Sequence, residues 1–121
     1  MRRKISKKQR LKKKLDRLVQ IKYQEKYPEC LVCGKPTDAM HHFIQKSQSL
    51  FLRWKLINLI PLCNICHFKH HSIGSRPGDP AIHAEILRVK GFEWYDEITR
   101  LRRTFWKDTI GNLEEMEASL L

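Results

Sequence analysis

Cys30 and Cys33 form one Cys-x-x-Cys pair, and Cys63 and Cys66 form another. Two residues between thiolates let both sulfurs face one ion from a tight turn, and two such turns complete a tetrahedral four-sulfur site. Two disulfides, or four reduced core cysteines, would also use these residues; the paired spacing favours structural Zn²⁺. The 29 residues between the pairs are more than a compact zinc ribbon needs, so structure is expected inside the interval. A closed four-cysteine site leaves no open coordination position, so it staples a fold without catalysing anything. At 121 residues the chain has room for one domain with an arm or a tail, and a domain that small gains from a staple.

The setting agrees with metal over disulfide. The charged start is not followed by an apolar secretory core, and no stretch is long and apolar enough to span a membrane. A reducing, cytoplasmic location is therefore expected.

The net charge of +11 is unevenly placed. Residues 1–26 carry twelve Lys and Arg against Asp16 and Glu25, whereas the other 95 residues carry twelve against eleven acids. A nearly neutral body with a basic segment points to a polyanion, most simply nucleic acid; an anionic membrane surface or a calmodulin-like partner would also suit a basic amphipathic helix.

That segment reads as a helix, with Leu11, Leu15, Leu18, Val19 and Tyr23 at helical spacing, ended by Pro28. It either docks by its apolar stripe or also lies along phosphates, with Arg10, Lys13, Lys14 and Arg17 as contacts. Ala39–Ile44 and Ile57–Leu62 read as two strands, and helical spacing runs from Asn64 to about Ile73. Asp79 is the expected N-cap of a further helix that starts at Pro80 and stops at Gly91. A last helix is expected from about Glu93 to Asp108, burying Tyr95, Ile98, Leu101 and Phe105, with Gly111 breaking it. Residues 112–121 hold three Glu and no basic residue and read as a short polar tail.

Five of the six histidines flank the second cysteine pair: His41 and His42 before it, and His67, His70 and His71 after it. His67 and His71, four apart on a helix, share a face and can bind one ion, with His70 as the fallback ligand. Adjacent strand residues diverge, so one of His41 and His42 can face that ion while the other reaches water. Hydrolysis of a phosphodiester needs an activated water and a cation against the developing charge, and histidine is a suitable base near neutral pH. Asn58 on the partner strand can hydrogen-bond the backbone or the ring.

The run His41-His42-Phe43, Asn58-Leu59-Ile60-Pro61-Leu62-Cys63, Cys66-His67 and His71 resembles the HNH (ββα-metal) nuclease superfamily, and the cysteine pairs resemble its zinc-stapled branch. The resemblance covers about residues 30–75. It implies an α+β fold, a small ββα-metal core over 28–75. Flanking it are a basic helical arm over 1–27, C-terminal helices over 76–110 and an acidic tail over 111–121. It implies a DNA endonuclease leaving 3′-hydroxyl and 5′-phosphate ends, as in phage recombination, packaging or restriction. His41 would be a metal ligand, His42 the general base, Asn58 the orienting residue, and His67 and His71 the remaining ligands. Many family members have Asp where His41 stands. Histidine there softens the ligand set, so Mn²⁺, Ni²⁺ or Zn²⁺ would be accepted beside Mg²⁺, the expected cellular ion.

Around this core, Trp54 is expected in the interior, and Arg53, Lys46 and Lys69 are candidate phosphate contacts. His83, Trp94 and Trp106 read as surface or packing residues. The rivals to a nuclease are a non-catalytic zinc-stabilised nucleic-acid-binding module and a structural zinc protein. One active site cuts one strand, so double-strand cleavage would need a homodimer or two visits.

Overall fold

The structure is a computed structural model, and it describes residues 4–70 and 79–121. Among the described residues, five helices surround a two-stranded antiparallel sheet: α1 (Lys7–Lys26), β1 (Ala39–His42), β2 (Leu59–Leu62), α2 (Asn64–His70), α3 (Pro80–Lys90), α4 (Phe92–Leu101) and α5 (Ile110–Leu120). The α+β class expected from the sequence is the class observed. No described helix is long and apolar enough to cross a membrane.

Local chemistry sets several boundaries. Helix α1 begins at a capping box, in which the Ser6 side chain accepts from the Gln9 N–H and the Gln9 side chain accepts from the Ser6 N–H. Asp79 caps α3 through the Ala81 N–H, with Pro80 in the first turn, as the sequence predicts. Gly91 separates α3 from α4 at φ 91°, a conformation that costs glycine little.

The hairpin divides the molecule. Its register pairs Met40 with Pro61, His41 with Ile60 and His42 with Leu59, and cross-strand partners share a face. One face therefore carries Met40, His42 and Leu59, and the other carries His41, Ile60 and Leu62. Against the first face pack Leu15, Val19 and Tyr23 of α1, Leu113, Met116 and Leu120 of α5, and Trp54. Against the second pack the buried cysteines and Ile82 and Ile86 of α3. A smaller cluster of Ile44, Leu52 and Ile98 anchors α4.

Three expectations are corrected. The acidic segment after Gly111 is not a tail: Thr109 caps α5, Gly111 sits inside its first turn, and Leu113 is fully buried. Its apolar residues at helical spacing complete the core that α1 alone cannot close, while Glu114 and Glu117 meet Lys7 and Lys14. The helix expected to reach Asp108 ends at Leu101, so Phe105 is 87% exposed rather than buried. The strands are shorter than expected, because Leu56–Asn58 forms a 3-10 turn and the chain leaves β1 after His42.

Candidate metal and nucleic-acid site

The first centre is sulfur. Cys30 and Cys33 sit on a turn, and Cys63 and Cys66 flank the start of α2. The four sulfurs all lie within 4.8 Å of one another, none is in a disulfide, and Cys33 Sγ and Cys63 Sγ are 3.5 Å apart. Sulfurs bound tetrahedrally at Zn–S ≈ 2.3 Å would stand about 3.8 Å apart, so the cluster fits a structural zinc ion. Hydrogen bonding from the Cys66 N–H, with the neighbouring thiols, draws the Cys63 thiol down to about 7, while burial pushes Cys66 up.

The second centre is imidazole. The His41 ring is 5.0 Å from that of His67 and 4.6 Å from that of His70, edge-on to both. Two imidazoles sharing one ion at metal–nitrogen distances near 2 Å have ring centres roughly 5 Å apart, and each of these pairs has about that separation. The cluster is looser than the sulfur one. Among the described residues, only the four cysteines bring three or more donor atoms within 4.8 Å of one another. His71 lies outside the described residues; His70, the fallback of the sequence reading, is the second helix residue at His41. The Cys63 C=O accepts the His67 N–H, so the cysteine staple also sets where the helix histidines stand.

His42 leaves β1 on the opposite face. Its Nε2 is 2.8 Å from the Arg53 carbonyl oxygen, which can only accept, so Nε2 carries the proton and Nδ1 keeps its lone pair. Burial lowers the His42 pKa below its ordinary value, partly opposed by that carbonyl, which favours the neutral ring. Both histidines line a cleft of about 550 Å³ with Gln20, Lys46, His67 and His70.

Asn58 is fully buried, and its side-chain hydrogen bonds go to backbone. Its Oδ1 accepts from the Ile44 N–H at 2.7 Å, and its Nδ2 donates to the Ile44 carbonyl at 3.0 Å and the Leu52 carbonyl at 3.4 Å. It therefore braces the backbone just beyond His42. Of the two partners left open from sequence, the backbone is the one it uses.

Arg53 was expected at a phosphate. In the free chain its guanidinium bonds Asp16 of α1 through Nε at 3.0 Å and Nη2 at 2.7 Å and lies over the Trp54 ring. The carboxylate gives the half-buried cation a charge-assisted partner within the chain. Burial opposes the ionised form of Asp16, but Arg53, the Trp54 N–H and Lys46 outweigh it and hold the carboxyl below its usual range. Trp54 is buried, as expected.

The remaining basic candidates divide. Lys46 lines the cleft, and Lys69 is exposed at the end of α2. Arg10, Lys13 and Arg17 are exposed on α1, whereas Lys14 is paired with Glu117 at 2.7 Å, and Lys12 with Asp108. The sequence reading missed Asp16 and Gln20 as parts of the site. The one signal was Asp16 itself, a lone acid in a run of bases.

A sulfur-stapled hairpin and helix, with imidazoles gathered beside a cleft, is a small ββα metal-binding unit. Residues 30–72 match the model of the HNH endonuclease domain, and the four cysteines at the ends of that stretch are placed as a zinc-type site requires. Such a domain implies nuclease-type chemistry, a divalent metal and a nucleic-acid substrate. No curated protein and no solved structure matches the chain.

Proposed function

We propose that the chain is a metal-dependent DNA endonuclease that hydrolyses one phosphodiester bond per encounter, leaving 3′-hydroxyl and 5′-phosphate ends. The observation that carries this reading is the split of two adjacent histidines. His41 joins His67 and His70 on one side of the hairpin, and His42 presents a neutral ring to the same cleft. A divalent ion held there, Mg²⁺ in the cell with Mn²⁺, Ni²⁺ or Zn²⁺ tolerated by imidazole ligands, supplies positive charge against the developing oxyanion and the leaving 3′-oxygen.

The chain's own residues do the rest. His41 and His67, with His70 or His71, would hold the ion. His42 Nδ1 takes the proton of the attacking water, and the Arg53 carbonyl keeps Nε2–H in place. Asn58 fixes the turn that follows. Lys46 meets the phosphate in the cleft, and Lys69, Arg10, Lys13 and Arg17 extend the interface along the DNA backbone. This set is far from what a binding module requires, since binding alone has no use for a base beside a metal site.

A plasmid-nicking assay tests the reading. Wild type is expected to nick with Mg²⁺ or Mn²⁺, and His42→Ala to lose roughly 10²- to 10⁴-fold in rate while keeping its zinc and its fold. Nicking by His42→Ala at the wild-type rate would remove the base, and DNA binding without cutting under every metal would leave a nucleic-acid-binding module.

A further inference from the structure

Helix α1 grips the histidine strand at two points. Asp16 and Gln20, four residues apart, lie beside the Leu15–Val19–Tyr23 stripe that packs on α5. Asp16 Oδ1 accepts from Arg53 Nε at 3.0 Å and from Trp54 Nε1 at 2.8 Å, and Oδ2 accepts from Arg53 Nη2 at 2.7 Å. One carboxylate thus holds two consecutive side chains, and the peptide between them is the one whose carbonyl accepts from His42 Nε2 at 2.8 Å. Gln20 acts on the strand directly: its Oε1 accepts from the Met40 N–H and its Nε2 donates to the Met40 carbonyl, both at 2.9 Å. Those two groups belong to the edge of β1 not paired with β2, two residues before His42, and the carboxamide takes the place of a third strand.

We propose that Asp16 and Gln20 are positioning residues: α1 fixes the rotamer and tautomer of His42 from both sides, through the Arg53–Trp54 peptide and through the edge of β1. The inference rests on His42 as the base. An ion pair alone would account for Arg53, but not for the Trp54 bond to the same oxygen or for the two-bond match of Gln20 to Met40. The basic helix is thereby built into the catalytic geometry as well as into any interface with DNA.

The test uses the full chain and the variants Asp16→Asn, Asp16→Ala, Gln20→Leu and the Asp16→Ala/Gln20→Leu pair, with zinc content and circular dichroism checked first. In plasmid nicking with Mn²⁺, kcat is expected to fall about 100-fold in the pair, the scale of an ångström-sized misplacement, while KM stays near wild type. Asp16→Asn, which keeps an acceptor for Arg53 and Trp54, is expected to recover part of the loss. A second readout needs no turnover: ¹⁵N NMR of the His42 ring should show one Nε2–H tautomer in wild type and a mixture in Asp16→Ala. If wild type cuts nothing but the tautomer still depends on Asp16, the clamp stands and the role of His42 as base falls. If KM rises with kcat unchanged, or the tautomer is the same in every variant, the clamp is overturned.

Discussion

The two faces of the β1–β2 hairpin are held by different physics. On the His41 face, four sulfurs within 4.8 Å of one another draw Cys30, Cys33, Cys63 and Cys66 together, and the apolar layer behind them is small. On the His42 face no metal ligands gather among the described residues; α1 and α5 bury Leu15, Val19, Leu113 and Trp54, and Asp16 and Gln20 reach across to the hairpin. A metal centre fixes its surroundings with four bonds of set length, whereas a packed interface needs many weak interactions and tolerates small shifts. The lesson is one of division of labour. The histidines gathered at His41 stand beside the sulfur cluster, and the His42 ring is held by packing and hydrogen bonds, so the two can be perturbed separately.

The largest expected effect tests the metal side. Cys63→Ser, or prolonged chelation, should release zinc and abolish nicking, because apparent zinc-binding energies of about 10–16 kcal/mol are folding energy in small zinc domains. Metal analysis with circular dichroism checks this, and retention of the fold without zinc would erase the contrast between the faces.

On the packed side, Leu15→Ala or Leu113→Ala should cost about 2–5 kcal/mol, read as a lower melting temperature, with one zinc still bound. Loss of zinc in step with the fold would show that the two faces are one cooperative unit.

A smaller effect lies at the clamp. Asp16→Ala should cost about 1–2 kcal/mol, for a charged hydrogen-bonded pair discounted for its partial exposure. The pH dependence follows from the lowered pKa of Asp16. A carboxyl depressed on folding contributes its stability above its ordinary pKa of 3.8 and loses it as pH falls through the lower folded value. Urea titrations of wild type and Asp16→Ala should therefore stay apart above pH 3.8 and draw together as pH falls from there through the lower folded value.

The smallest effect on stability separates binding from packing in α1. Removal of residues 1–26 would strip the core of Leu15, Val19 and Tyr23, so point changes are needed. Arg10→Ala, Lys13→Ala and Arg17→Ala together should leave the stability within about 1 kcal/mol of wild type, since exposed charges contribute little. They should flatten the salt dependence of DNA binding by about 0.9 in log–log slope for each phosphate no longer neutralised. An unchanged slope would confine α1 to the structural side.

Much of the centre was legible from residue order alone. The cysteine pairs, the His41-His42 step and the Asp79-Pro80 start of α3 are patterns within a few residues, where covalent spacing already limits geometry. The α5 helix was not, because three glutamates in ten residues read as solvated until the basic face of α1 lies beside them. The Arg53–Asp16 pair was not legible either. A cation near an active site suits a phosphate, and nothing local announces that an acid 37 positions earlier returns to meet it.

Sequence by itself determined what is chemically available here: four thiols in two turns, imidazoles on either side of them, and an excess of positive charge at one end. Tertiary structure decided which groups meet: His70 beside the His41 ring, Asn58 on the Ile44 backbone, and Asp16 on the side chains that flank the peptide holding His42. Ligand types and short spacings are written in the chain. Partners far apart in sequence depend on where the backbone returns, and that is set by the burial of apolar surface over the whole fold.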